Sequence, residues 1–263
     1  MKKAFLIFLL IFFTNCFAQT NALNAIQLDS ISFNASSFVG TDGFGYYYYI
    51  KNNVFIKSKQ NENFEYKNLA LGQIQHVDIQ NPLMIVLFYE NFNTIITLDN
   101  QLNESNKLNF SDFKTPLLVT ATGMASQNRF WIYDQLTQKI GLFDYISNNY
   151  VALTQSFDGV IKFYNSDFNT FYWIDDKLNW FSCDVFGKIT SFGKVENFDK
   201  MQIINHDTFL FSVGNQLFLK NYASNQKYAI KIVDKSFESF FYKDQILSIF
   251  TIEGITNYKI KIP

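Results

Sequence analysis

The chain has little cysteine, histidine, arginine or proline. Its cysteines are Cys16 and Cys183, and Cys16 falls in a segment that reads as a cleaved leader. The mature chain then keeps one thiol, which cannot form an intramolecular disulfide. The same count excludes zinc sites of the Cys-rich type. A chain of 263 residues can bury a large core without such staples. Arg129 is the single arginine. Without Lys2 and Lys3, 22 basic residues become 20 against 23 acidic, a net charge of −3. Nucleic-acid binding calls for a basic excess in clusters, and neither is present. No G-x-S-x-G elbow and no calcium loop of the EF-hand type occur. Gly40, Gly43 and Gly45 precede a hairpin rather than a helix, so they read as a turn and not as a phosphate loop.

The leader covers residues 1–18. Lys2 and Lys3 form its positive end, and AFLIFLLIFF (4–13) forms a ten-residue apolar core. Cys16 and Ala18 supply the small residues of a cleavage site, which predicts a mature terminus at Gln19. Lipidation at Cys16 is the rival reading, and Asn15 before it fits that pattern less well. The apolar core is too short to span a bilayer, and no later segment is long and apolar enough. The expected compartment is the periplasm or the exterior.

What the chain does have is aromatic residues, 31 Phe and 15 Tyr, and a period of about forty residues. Alternating apolar stretches flank polar tips near Asn52, Asn91, Gln135, Asp175, Gly214 and Glu253, which is the hairpin signal. A second set of turns falls at Asp42, Asn81, Asn128, Asp167, Asp207 and Asp244, residue types that brace turns with their own side chains. Four strands per forty residues is the blade of a β-propeller. Blades are expected at about 35–72, 73–113, 114–158, 159–196, 197–234 and 235–263. The last repeat lacks its fourth strand, and residues 22–33 hold a strand without a blade. Placing that strand in blade six closes the ring and covers an open sheet edge. A β-sandwich pair or a β-solenoid is the alternative, and the four-strand period with its orphan strand argues against both.

The runs VDIQNPLMIVLFYENFNTIITLDNQL and FWIYDQLTQKIGLFD resemble β-propeller repeat proteins, in particular uncharacterised exported propellers of Bacteroidetes. The resemblance covers residues 20–263. It implies the fold and the compartment, and it implies no activity.

Candidate chemistry is sparse. His76 and Asp78 are spaced i, i+2 in the expected inner strand of blade two, so they share a side. The pair could do acid–base work or bind a metal, but a channel-lining histidine is the simpler reading, and His206 reads as a turn residue. The inner strands look mostly apolar or Ser/Thr, with Asp78 and Glu238 as exceptions. Trp131, Trp173 and Trp180 read as core between blades rather than as a ligand platform. Tyr46 to Tyr49 are consecutive and must alternate between the two faces of a blade. No cofactor or metal site is expected.

Two functions follow. The first is a monomeric interaction or scaffold module that binds another envelope protein. Its face would carry the hairpin tips, with Tyr89, Asn91, Asp134, Asp175 and Glu253. The second is an enzyme or small-ligand receptor at the channel near His76 and Asp78. Polar side chains converging from at least three inner strands would favour the second.

Overall fold

The computed structural model describes residues 21–232 and 236–263. It is a six-bladed β-propeller of antiparallel blades, nearly all strand, with one short 3-10 turn at Glu90–Phe92. The leader and its cleavage and lipidation positions lie outside the described residues. No helix among the described residues is long and apolar enough to cross a membrane.

Each blade is an up-and-down meander. Blade one runs from Ser37–Thr41 to Glu62–Tyr66 and blade two from His76–Asp78 to Glu104–Asn109. Blade three runs from Val119–Ala125 to Asn149–Ala152 and blade four from Ile161–Ser166 to Ile189–Lys194. Blade five runs from Lys200–Asn205 to Gln226–Lys231, and blade six starts at Ser239–Lys243. The first strand of each blade lies innermost. All six inner strands run the same way, so the tips between second and third strands share one face with the connections between blades.

The turn residues do what their chemistry suggests. The Asp42 carboxylate accepts from the N–H groups of Phe44 and Tyr46, and Asn81 accepts from Leu83 N–H. Asp167 accepts from the N–H groups of Asn169 and Thr170. Asn52 and Asn53 both adopt positive φ, as a two-residue hairpin of the primed type requires. The longest repeat is explained by the connection from Phe110 to Leu118. It packs over blade two, where buried Asn93 donates to Leu117 O and accepts from Val119 N–H.

Period-two alternation sends successive side chains to opposite neighbours. Tyr48 joins the core between blades one and two, while Tyr47 and Tyr49 pack toward blade six. Five interfaces between blades each hold eight to eleven buried apolar residues among those described, and the sixth, between blades six and one, holds only Phe38, Phe250 and Ile255.

The closing segment is more elaborate than a single strand over residues 22–33. It forms two strands, β1 (Asn21–Asn24) and β2 (Ile26–Ser32). β2 pairs antiparallel with Gly254–Lys259 and supplies the fourth strand of blade six, as the missing strand demanded. β1 pairs in parallel with Gln226–Lys231 and gives blade five a fifth strand. One segment therefore latches two blades. Period alone could not show this, because a parallel edge strand leaves no hairpin signal. Gly254 permits the fit. Its φ is +126°, and a Cβ there would lie 2.1 Å from Ile31 O and 2.9 Å from Phe33 N.

Candidate functional site

A cavity of about 650 Å³ runs along the propeller axis. Inner strands of five blades contribute to its wall, among them Ser37, His76, Tyr164, Gln202 and Lys243. The expectation that inner strands are mostly apolar or Ser/Thr is therefore corrected. Lys162, Tyr164 and Ser166 alternate along one strand, and that alternation is the signal that could have shown a polar wall. Glu238 is exposed just ahead of the inner strand of blade six, outside this wall.

The channel is asymmetric. His76 of blade two and Tyr164 of blade four meet with ring centroids 5.0 Å apart. Blade three is set back behind them. Its Gly123 makes this possible, because a Cβ there would lie 2.0 Å from Ser166 Oγ and 3.4 Å from Asp78 Oδ2.

His76 and Asp78 do share a side, but the carboxylate is already engaged. Asp78 Oδ1 accepts from Gln80 N–H at 2.8 Å, and Oδ2 accepts from Met124 N–H at 2.7 Å. Burial holds the His76 imidazole below its ordinary pKa, and the nearby Asp78 charge only partly offsets it. Burial thus favours the neutral imidazole. The geometry makes Asp78 a tie between blades two and three. Gln202 does the same between blades five and six, donating to Tyr242 O and accepting from Tyr242 N–H. Asp78→Ala would leave the Met124 and Gln80 N–H groups without their acceptor, at a cost of about 2–3 kcal/mol. Urea unfolding should show this as a lower midpoint, while His76→Ala should cost less.

Around the mouth on the hairpin-tip face lie Glu90 and Lys162. Burial raises the Glu90 pKa, and Lys162 Nζ donates to Asn197 Oδ1 at 3.1 Å. Of the five residues expected on this face, Asn91 and Glu253 are exposed. Tyr89 and Asp134 are corrected, since each is only 1% exposed and offers no side chain to a partner. Tyr89 packs in the core between blades one and two. Asp134 folds back to accept from the N–H groups of Leu118, Leu136 and Thr137. Asp175 is part-buried and accepts from Lys177 and Asn179 N–H in the same manner. Residues absent from the expected set take the outward positions on this face: Leu69, Phe92, Leu136, Val160 and Ile252 are all exposed. The opposite face exposes Phe44, Leu83, Ile146, Phe168 and Phe186.

Trp131, Trp173 and Trp180 are buried between blades, and Trp131 Nε1 donates to Asp167 O. His206 is exposed in its turn. Burial pushes the Cys183 thiol up to about 12, so the thiolate is scarce at neutral pH. No group of three or more His, Cys, Asp or Glu among the described residues could hold a metal ion.

No protein-family model matches the chain, and no curated protein matches it. Solved structures do. The virginiamycin B lyase of Staphylococcus aureus is 12% identical, with a TM-score of 0.57 over 92% of this chain and 96% of that one. The WD40 repeats of RRP9 are 8% identical, with a TM-score of 0.59 over 92% and 99%. YCF48 bound to a D1 peptide is 13% identical, with a TM-score of 0.51 over 93% and 100%. At these identities the likeness is one of fold, and the fold hosts both enzymes and binding modules.

Proposed function

We propose that this protein is an exported binding module of the cell envelope, and that its hairpin-tip face grips an extended segment of a partner protein. One observation carries the reading. Exposed Leu69, Phe92, Leu136, Val160 and Ile252 share a face with the mouth of an open, polar-walled cavity. Apolar side chains rimming a polar recess suit a peptide, whose side chains need apolar contacts and whose backbone needs hydrogen-bond partners. YCF48, which is similar in fold over 93% of this chain, was solved bound to a D1 peptide. The leader pattern over residues 1–18 supports export. The commitment of Asp78 to Met124 and Gln80 argues against acid–base chemistry at the His76 pair.

The test is site-specific photo-crosslinking in envelope extract, with a benzophenone residue at position 136 or at position 186 on the opposite face. The expected result is a discrete adduct from position 136 and none from 186, with Val160→Lys reducing it about tenfold, the effect of roughly 1.4 kcal/mol. Adducts from both positions or from neither contradict the reading.

The cavity itself favours a second reading. Polar side chains from five inner strands meet the condition for a small-ligand site at the channel. A small ligand would protect Lys162 from amine acylation without any partner protein present. A partner peptide alone protecting it supports the first reading.

A further inference from the structure

The interface between blades six and one is unlike the other five. Its buried core is thin, and a cleft opens there in two lobes, of about 510 and 310 Å³. Tyr47 and Gly45 border both lobes, which sets the two side by side at the Tyr47 side chain.

Its wall on blade six is a polar rung where the other interfaces are apolar. Asp29, Asn257 and Ser248 are register partners across three adjacent strands. Ser248 Oγ donates to Asn257 Oδ1 at 2.7 Å. Asn257 Nδ2 donates to Asp29 Oδ1 at 2.7 Å and to Tyr47 OH at 2.9 Å. Asn257 is only 4% exposed and its amide is fully engaged, so it fixes its two neighbours rather than serving a ligand. Those neighbours are left with capacity. Tyr47 accepts from Asn257, which frees its own O–H hydrogen to donate. Asp29 is exposed, and among the described residues no protein donor reaches its Oδ2. The result is one donor and one acceptor, both oriented and both on the cleft.

The wider lobe adds aromatic surface. Phe33 and Tyr49 stack with centroids 4.6 Å apart beside Tyr47, with Ser58 and Gln60 at the edge. Lys59 is already bound to Phe44 O, and Asp29, Asp42 and Asp244 line the narrower lobe. Lys243 lines the narrower lobe as well, so three carboxylates stand against one cation there, a balance that disfavours an anionic ligand.

We propose that this seam cleft is a binding site for a neutral saccharide. A pyranose ring offers an apolar C–H face to Tyr47 and Tyr49 and hydroxyls to an acceptor and a donor, here Asp29 Oδ2 and the Tyr47 O–H. Aromatic surface with a few placed polar groups is the general form of a small-molecule site. The site is remote from the hairpin-tip mouth and independent of the peptide-binding reading.

Isothermal titration of the intact protein with maltose, cellobiose and N,N′-diacetylchitobiose tests it, with glucose 6-phosphate as the charged control. At least one neutral disaccharide should bind saturably, one to one, with a Kd near or below about 1 mM. Asp29→Ala and Tyr49→Ala should each weaken it about tenfold, the loss of one charge-assisted hydrogen bond or one stacking face. Tyr47→Phe keeps the ring but leaves one buried Asn257 N–H without its acceptor, so the melting temperature should fall modestly; a loss of binding measured well below that temperature isolates the O–H. Lys162→Ala, in the central cavity, should leave binding unchanged. Saturable binding by none of the three up to about 20 mM overturns the proposal. So does binding that Lys162→Ala abolishes and Asp29→Ala does not.

Discussion

A chain starting at residue 34 should not fold into a stable ring. Removing β1 and β2 strips the fourth strand from blade six and the fifth from blade five, and it exposes the edges of Gly254–Lys259 and Gln226–Lys231. It also removes Leu23 and Ala25 from the core between blades five and six, and Phe33 from the thin core between six and one. Domains of this kind have about 5–15 kcal/mol of net stability, and the loss is of that order. The truncated chain should aggregate through its open edges. Urea unfolding followed by tryptophan fluorescence should lose its single cooperative transition. Gly254→Val is the same experiment at one atom. The new side chain meets Ile31 O and Phe33 N, backbone that cannot yield without unpairing β2. It should cost about 3 kcal/mol or more, whereas Gly214→Ala, whose Cβ meets nothing within 4 Å, should cost only its backbone strain.

Trp131→Ala should be the most damaging truncation of a single side chain. Trp131 is completely buried between blades three and four, its ring lies 6.0 Å from Phe171, and its Nε1 holds Asp167 O at 2.9 Å. Large-to-small changes at such sites cost about 3–5 kcal/mol, through lost transfer energy and the cavity left behind. The orphaned Asp167 carbonyl adds to this, and it sits in a turn that its own side chain braces. For a chain of this size the melting temperature should fall by about 8–15 °C. Phe186, 91% exposed in a turn of blade four, is the control; Phe186→Ala should shift stability by less than about 0.5 kcal/mol. If the two variants melt alike, the interfaces between blades do not carry the stability.

The architecture was legible because propellers write it twice, once in the hairpin tips and once in the turn residues. Asp42, Asn81 and Asp167 brace turns that their type alone identifies. Tyr46 to Tyr49 had to alternate, and they do. Asp134 was misread because the same turn chemistry that places it near the tip folds its carboxylate inward. The reach of Asp78 to Met124, 46 positions on, joins two blades, and no local pattern encodes a contact of that kind. The channel wall was misjudged for a related reason. Which member of an alternating pair faces the axis depends on how far each blade is set back, and that depended on Gly123 meeting Ser166. The Asp29–Asn257–Tyr47 network joins both ends of the chain, with Asn257 more than two hundred positions from each of its two partners.

The ring is closed by pairing of β2 with the last strand, and one engineered bond tests that pairing directly. Ser30 and Thr256 are register partners whose side-chain oxygens lie 3.1 Å apart, 226 positions apart in sequence. Directly opposed strand positions are within disulfide range. The double variant Ser30→Cys with Thr256→Cys, in a Cys183→Ser background, should oxidise to an intramolecular disulfide and unfold at higher urea than its reduced form. Two free thiols after oxidation, or a disulfide that lowers the urea midpoint, would contradict the closure.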